Sequence, residues 1–337
     1  MVSDTLLHHG PSTPSRYIGS PIARGNTPAR CGRVHQDQII LGKLLGKGGF
    51  GSVYVASIRG RTVAVKTYHK RSGNPAALEQ SYLCELQAFR LGLKHSNIVS
   101  VLGATSVNNF TEGAWIVMEY VGERNLQNIL NDPKETLEHN QRLSFALQIA
   151  RGLHYLHSVN VVHLDLKPAN IMVTADMKLK IADFGCCHQI PAGNEEGGVS
   201  GPAEDGEGLA PVQGPWRNEL AGTLAYRAPE LLKGQRPALR SDVYSLGITL
   251  WQMQSRSGPY EGVPVHSVVF QVVARHLRPQ HRSAASLDAD NDDSSDDPFE
   301  LVFSDLYTQC WAPAVEDRPT SLEVVHVIGL WMENLDK

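Results

Sequence analysis

Two polar segments in the middle of the chain carry side chains that suit phosphoryl transfer. One runs from His163 to Asn170 and contains Asp165; the other is Asp183-Phe184-Gly185, which begins thirteen residues after Asn170. A carboxylate such as that of Asp165 can accept the proton of a hydroxyl that attacks a phosphoryl group. Asn170 and Asp183 offer oxygen ligands of the kind that Mg²⁺ takes between nucleotide phosphates. The pattern predicts a general base beside a metal site.

Lys167 lies between these side chains and is expected to neutralise charge on the transferred phosphoryl group. A single D-x-x-x-x-N pattern occurs often by chance. Here it is followed by Asp183-Phe184-Gly185 and then by Ala228-Pro229-Glu230. This combination and order make a chance origin negligible.

A glycine-rich segment earlier in the chain is suited to covering phosphates. It lies between two strand-like runs and reads Gly46-Lys47-Gly48-Gly49-Phe50-Gly51-Ser52-Val53. Glycines let the backbone approach a charged ligand and direct N–H groups towards it. The same G-x-G-x-x-G spacing marks dinucleotide-binding folds, but there it opens a helix. Because this chain continues as a strand, a hairpin over phosphates is favoured.

The next strand, Val63-Ala64-Val65-Lys66, places Ala64 and Lys66 on one face, since side chains two residues apart share a face. A small residue can lie against a nucleobase while the lysine reaches phosphate oxygens. Such a lysine requires a carboxylate to hold it, and a helix predicted over 76–93 follows. Glu79 and Glu85 flank the apolar stripe of that helix on opposite edges. Helical periodicity alone therefore leaves both candidates open.

Composition limits the classes of protein to which the chain can belong. Its 337 residues carry a formal net charge of -4, which argues against nucleic acid as a partner. No run approaches 18 uninterrupted apolar residues, so no contact with a membrane is expected. The five cysteines are odd in number and form no C-x-x-C pair, which favours free thiols in a reducing compartment. These features predict a cytoplasmic protein.

The apolar pattern changes along the chain and predicts an α+β architecture of two lobes. A small β-rich lobe is expected over 37–121 and a larger, mainly helical lobe over 122–335. Residues 1–36 show no apolar period and are predicted to be a disordered tail, and 192–214 and 280–298 are predicted to be mobile insertions. The predicted strands are 39–45, 52–58, 62–68, 98–105 and 114–120, and the predicted later helices are 142–157, 239–254, 265–276, 299–310 and 320–335.

In this order, the motifs resemble the protein kinase signature set over roughly residues 39–335. The resemblance implies a bilobal fold with ATP in the cleft between the lobes and Mg²⁺ held by Asn170 and Asp183. It implies catalytic roles for Asp165, Lys167 and Lys66. The residues that it implies for binding ATP and its metal are Leu45, Gly46, Lys47, Gly48, Gly49, Phe50, Gly51, Ser52, Val53, Ala64, Lys66, Glu85, Met118, Glu119, Val121, Asn170 and Asp183.

The family pattern also resolves choices that periodicity leaves open. The spacing to His95-Ser96-Asn97-Ile98 fits Glu85 better than Glu79 as the partner of Lys66. Met118 would be the gatekeeper, and Glu119 and Val121 would offer backbone groups to adenine. Two structural roles are implied as well: Asp242 would brace the loop around Asp165, and Glu230 would pair with Arg318.

Serine/threonine specificity is implied by Lys167, in Asp165-Leu166-Lys167-Pro168, and by the segment 222–226, which resembles a substrate-docking segment. The chain departs from the family at Leu164, where most members have an arginine that receives a phosphate on the activation segment. Leucine cannot bind phosphate, so activity is expected not to require phosphorylation of residues 186–227.

The segments 163–171, 183–186, 226–234 and 248–253 resemble one branch of the serine/threonine kinases. Kinases of this branch act in germ cells, phosphorylate MAP kinase kinase and drive the MAP kinase cascade in oocyte maturation and arrest. This resemblance implies MAP kinase kinase as the protein substrate. Three alternatives remain: a Raf-like or mixed-lineage cascade kinase, a catalytically inactive kinase-like scaffold, and a binding module that acts through its tail or acidic segments.

Overall fold

The computed structural model describes residues 33–68, 74–106, 110, 113–191, 223–280 and 297–335. The predicted insertion at 192–214 lies outside these residues, as do nearly all of the tail at 1–36 and of the insertion at 280–298. Those three expectations and the lobe boundaries stay predictions. No helix of the part that is described is long and apolar enough to cross a membrane.

The first lobe is built on a five-stranded antiparallel sheet with the order β1-β2-β3-β5-β4. One helix, α1, lies between β3 and β4 in the chain. The strands and the helix are β1 (Ile39–Lys47), β2 (Gly51–Ile58), β3 (Arg61–Tyr68), α1 (Pro75–Arg90), β4 (Val101–Ala104) and β5 (Trp115–Glu119).

Strand β3 separates two apolar clusters, as its alternating side chains require. Val63 and Val65 belong to one cluster, whereas Ala64 belongs to the other, together with Met118 and Tyr82 of α1. The face that carries Ala64 and Lys66 is therefore the face that packs towards α1 and the cleft.

Helix α1 begins and ends by local signals. The side chain of Asn74 accepts a hydrogen bond from the N–H of Ala77 at 3.1 Å, and Pro75 occupies the first turn. The helix stops at Arg90, three residues before the predicted end. Gly92 has a φ of 62°, a left-handed conformation that suits glycine and ends helices.

The strand predicted over 98–105 is shorter than expected, because only Val101–Ala104 joins the sheet. Ile98 instead forms a bridge with Ile181, and the N–H of Val99 donates to the carbonyl of Ile181 at 2.9 Å. An alternating apolar pattern shows that a segment is extended but does not show which strand it pairs with. The first part of this segment pairs with the second lobe.

The second lobe is mainly helical and encloses one large apolar cluster. Helix α5 (Leu239–Ser255) is buried from Ser241 to Met253, a stretch that includes polar as well as apolar side chains. The strands and helices of the second lobe are β6 (Arg124–Asn125), α2 (Leu126–Asn131), α3 (His139–Ser158), β7 (Val161–Val162), β8 (Ile171–Val173), β9 (Leu179–Ile181), β10 (His188–Gln189), α4 (Pro229–Leu232), α5 (Leu239–Ser255), α6 (Val265–Arg275), α7 (Pro298–Cys310) and α8 (Ser321–Leu335).

A buried ion pair joins α4 to the segment before α8. Arg318 donates two parallel hydrogen bonds of 2.8 Å to the carboxylate of Glu230, and Ser241 donates a third, of 2.7 Å, to the same carboxylate. The guanidinium also lies 5.2 Å from the ring centre of Tyr244. The implied pairing of Glu230 with Arg318 is confirmed, and its burial indicates a structural role.

We expect replacement of Arg318 by methionine to lower the free energy of unfolding by about 3–5 kcal/mol, because it leaves the Glu230 carboxylate buried and unpaired. Urea unfolding followed by circular dichroism would measure the change. The matched control is Lys43→Met, which removes the exposed ion pair between Lys43 and Glu123. Equal effects of the two substitutions would contradict a structural role for the buried pair.

Candidate active site

Three ionisable side chains from different parts of the fold meet at the cleft. The ammonium group of Lys66, on β3, donates hydrogen bonds to Glu85, on α1, and to Oδ1 of Asp183 at 2.8 Å. Glu85 is 1% exposed and lies on the buried side of α1, whereas Glu79 is exposed. The structure thus places Glu85, and not Glu79, beside Lys66.

The charges of Lys66 and Asp183 support each other, whereas burial raises the pKa of the Glu85 carboxyl in spite of Lys66. Burial alone would lower the pKa of Lys66, but the carboxylates of Asp183 and Glu85 raise that pKa well above its usual value. Partial burial opposes ionisation of Asp183, but Lys66, with smaller contributions from Lys167 and His163, holds the pKa of Asp183 at about 2. At neutral pH the cleft therefore holds an ammonium group beside an ionised Asp183, which suits the binding of a divalent cation.

A second group of polar side chains surrounds Asp165. Lys167 donates to both oxygens of the Asp165 carboxylate, at 3.1 Å and 2.8 Å. The side-chain N–H of Asn170 donates to the backbone carbonyl of Asp165 and to its Oδ2, both at 2.8 Å. Because the nitrogen of the Asn170 amide is used in this way, its oxygen is the atom left for a metal.

Backbone hydrogen bonds join the two groups. The N–H of Ala182 donates to the carbonyl of Asn170 at 2.8 Å, so the residue before Asp183 is tied to Asn170. The ring of His163 contacts the carbonyl of Ala182 at 3.0 Å. The predicted catalytic residues and both predicted metal ligands therefore lie at one site, although their roles stay predictions.

Asp242, on α5, holds the loop that carries Asp165. Its carboxylate accepts hydrogen bonds from the backbone N–H groups of His163 and Leu164 at 2.7 Å and 2.8 Å, and it contacts the ring of His157 at 3.1 Å. Leu164 has a φ of 62°, which is costly for a branched side chain. The two hydrogen bonds hold it there, and the implied bracing role of Asp242 is confirmed.

An apolar cluster lines the cleft where adenine is expected. Ala64 and Met118 pair across β3 and β5 and are both buried, and Leu45, Phe50, Val53 and Val121 pack against the same cluster. The carboxylate of Glu119 accepts hydrogen bonds from the N–H of Ser100 and from Lys180, and the N–H of Glu119 donates to the carbonyl of Ser100 at 3.0 Å. The binding of adenine by the backbone of Glu119 stays a prediction. Lys47 is exposed, and Ser52 is buried within β2.

Two further residues of this cluster, Met172 and Ala182, were missed in the sequence analysis. Met172 lies in β8 between Ile171 and Val173, which are buried on the opposite face. Strand alternation after Asn170 places Met172 on the face opposite Ile171 and Val173. The sequence does not show which face of β8 borders the cleft, so alternation alone could not identify Met172 as a cleft residue.

The glycines of the β1–β2 hairpin serve two different needs. A Cβ at Gly51 would lie 2.0 Å from the backbone oxygen of Thr67, so the fold itself requires glycine there. A Cβ at Gly46 would meet no atom within 4 Å, and one at Gly48 would meet only the carbonyl of Gly51 at 3.9 Å. The protein leaves space at these two positions, which fits a phosphate chain lying against the backbone.

A separate group of possible metal ligands lies on α3 and at the beginning of α7. His139, Asp297 and Glu300 bring their ligand atoms within 4.8 Å of one another. Arg142, however, donates hydrogen bonds of 2.8 Å and 2.9 Å to the two oxygens of Glu300, and Gln254 donates to it as well. Glu300 is therefore already neutralised, and this group is better described as an ionic contact between helices.

We expect Gly46→Ala to leave the free energy of unfolding unchanged but to raise the KM for ATP roughly tenfold, which corresponds to about 1.4 kcal/mol. The matched control, Gly51→Ala, should destabilise the fold by about 1–3 kcal/mol, because its Cβ meets backbone. Urea unfolding and steady-state kinetics would separate the two effects. An unchanged KM in Gly46→Ala would contradict phosphate binding at this hairpin.

Comparison with known proteins agrees with this geometry. The family model for the protein kinase domain matches residues 39–328. The serine/threonine-protein kinase mos of Patiria pectinifera is 42% identical over 292 residues, covering 86% of this chain and 74% of that protein. The kinase of the same name from Xenopus laevis and the proto-oncogene serine/threonine-protein kinase mos of Sus scrofa are both 35% identical, covering 86% and 81% of this chain and 75% and 83% of their own lengths. The chain belongs to the protein kinase family, among the Mos-like serine/threonine kinases.

Proposed function

We propose that this kinase transfers the γ-phosphoryl group of ATP, bound with Mg²⁺, to MAP kinase kinase, and so activates the MAP kinase cascade in the meiotic maturation and arrest of oocytes. The assembled group of Lys66, Glu85 and Asp183 beside Asp165 supports the transfer reaction. The identity of 42% with a mos kinase over most of the chain supports the cascade role.

Each side chain has a distinct task in this proposal. The Asp165 carboxylate accepts the proton of the substrate hydroxyl, and Lys167, already bonded to that carboxylate, lies where it can also attract the phosphoryl group. Asn170 and Asp183 hold the cation, and Lys66, positioned by Glu85, contacts phosphate oxygens. Bound Mg²⁺ supplies charge neutralisation on the phosphates. Catalysis is then mostly positioning and electrostatics.

The alternatives differ from this proposal in testable ways. A kinase-like scaffold would lack at least one of Lys66, Asp165, Asn170 and Asp183, and all four are present. A Raf-like or mixed-lineage kinase would retain the site but differ in its preference among protein substrates. We also propose a cytoplasmic location, which the free thiols Cys84, Cys186, Cys187 and Cys310 support.

We expect Asp165→Asn to lower the rate of phosphate transfer to MAP kinase kinase about a hundredfold to ten-thousandfold, since it removes the proton acceptor. Transfer from radiolabelled ATP would measure this. The matched control is Asp176→Asn, which changes an exposed carboxylate in the β8–β9 turn. If Asp165→Asn transferred phosphate as fast as wild type and the control, the proposed role of Asp165 as proton acceptor would be wrong. If wild type phosphorylated other proteins but not MAP kinase kinase, only the proposed substrate would be refuted.

Leu164 generates a prediction about regulation. Its side chain is buried and uncharged, so it cannot bind a phosphate on residues 186–227. We expect enzyme treated with phosphatase to retain most of its activity towards MAP kinase kinase, compared with enzyme treated with heat-inactivated phosphatase. Nearly complete loss of activity, with the lost phosphate mapped by mass spectrometry to residues 186–227, would refute this hypothesis.

A further inference from the structure

Three aromatic side chains pack against one another next to the Lys66–Glu85 pair. Tyr68 is the last residue of β3, Tyr82 lies in α1, and Phe110 lies between β4 and β5 in the chain. We call these three residues the aromatic cluster. The ring centres are 5.3 Å apart for Tyr68 and Tyr82, 5.4 Å for Tyr82 and Phe110, and 6.1 Å for Tyr68 and Phe110. All three pairs meet edge to face, an arrangement that aromatic rings favour.

The aromatic cluster borders both members of the ion pair. The ammonium nitrogen of Lys66 lies 5.7 Å from the ring centre of Tyr68, within the range of a cation–π interaction. Tyr68 follows Lys66 by two residues on β3, so both side chains project from the same face of the strand. Tyr82 precedes Glu85 by three residues, so these two side chains are neighbours on the surface of α1.

Water is almost excluded from the aromatic cluster. Tyr68 is 5% exposed, Tyr82 is fully buried, and Phe110 is half-buried against them. The hydroxyl of Tyr82 also donates a hydrogen bond to the backbone carbonyl of Ser106, two residues after β4. Helix α1 is therefore joined to the part of the chain between β4 and β5 by a hydrogen bond and by ring contacts.

These contacts restrict the position of α1. An outward shift of the helix would separate Tyr82 from Phe110 and from the carbonyl of Ser106, and it would move Glu85 away from Lys66 because both residues belong to the same rigid helix. The aromatic cluster contains no charged group, so it holds α1 without a phosphate. This agrees with the expectation that activity does not require phosphorylation of residues 186–227.

We propose that Phe110 is a positioning residue of the phosphoryl-transfer site. It acts through Tyr68 and Tyr82, and so keeps α1 where Glu85 can hold Lys66 for the phosphates of ATP. The inference rests on the proposed function, in which Lys66 contacts phosphate oxygens. The part of the chain between β4 and β5 would thus control the geometry of the site without contributing a catalytic residue.

The first test is a double-mutant cycle on phosphate transfer. Full-length wild type, Phe110→Ala, Glu85→Gln and the double variant are compared in kcat/KM for ATP with MAP kinase kinase as acceptor. We expect Phe110→Ala to lower kcat/KM about fivefold to fiftyfold in wild type but hardly at all in Glu85→Gln, because both residues act through the same ion pair. Phe110→Tyr, which keeps the ring, should retain most of the activity.

The second test does not require phosphate transfer. The rate at which acetic anhydride acetylates Lys66 is measured by mass spectrometry in the same four proteins. The ammonium group is buried and paired with carboxylates, which keep it protonated and slow to react. We expect faster acetylation in Phe110→Ala than in wild type, and equal rates in Glu85→Gln and the double variant.

The matched control is Phe299→Ala, which removes a half-buried ring from the second lobe, where Phe299 stacks on His139 with ring centres 4.0 Å apart. Urea unfolding is expected to show a loss of stability in both alanine variants. Only Phe110→Ala should change kcat/KM and the acetylation of Lys66. A general loss of stability would change both variants alike.

Additive losses in the two cycles would show that Phe110 does not act through Glu85, and they would overturn the inference. Wild-type values of kcat/KM and of Lys66 acetylation in Phe110→Ala would overturn it as well. If wild type phosphorylated no protein, the proposed function would be refuted separately. The acetylation of Lys66 would then still decide the inference: a faster rate in Phe110→Ala than in Phe299→Ala would support it, and equal rates would overturn it.

Discussion

The site depends on one buried cation held between carboxylates from both lobes. Lys66 and Glu85 belong to the first lobe, and Asp183 follows β9 in the second. Because Lys66 and Glu85 are almost excluded from water, removal of Lys66 would leave the Glu85 carboxylate buried and uncompensated beside that of Asp183, at a cost of several kcal/mol. The cluster therefore forms only when β3, α1 and the segment around Asp183 are in place together. The segment after Asp183 also packs closely against α1, since a Cβ at Gly185 would lie 2.5 Å from Oγ of Ser81.

Asp242 fixes the position of Asp165, the expected base, relative to Lys66. One carboxylate on a buried helix accepts two consecutive backbone N–H groups, and this fixes the left-handed conformation of Leu164. The loop is thereby aimed by α5, which lies in the core of the second lobe and is itself tied to the Glu230–Arg318 pair through Ser241. The rigid interior of the second lobe thus controls the position of Asp165, a short distance along the chain from Leu164.

The distribution of positive charge around the base differs from the usual family pattern. Most members have an arginine at the position of Leu164, and here the side chain is buried and uncharged. Lys167, in the same loop, is a cation and donates to both oxygens of the Asp165 carboxylate. Leu164 therefore offers no charge to a phosphate on the kinase itself.

Local patterns in the sequence determined the elements and the identity of the chemical groups. Alternation placed Ala64 and Lys66 on one face of β3, and motif spacing placed Asp165, Asn170 and Asp183 at one site, because these features depend on neighbours in the chain. Tertiary structure alone decided between Glu79 and Glu85 in space, moved 98–99 from the first sheet to a pairing with β9, and brought Met172 into the cleft wall. Each of these depends on which surface an element faces, and periodicity does not specify that surface.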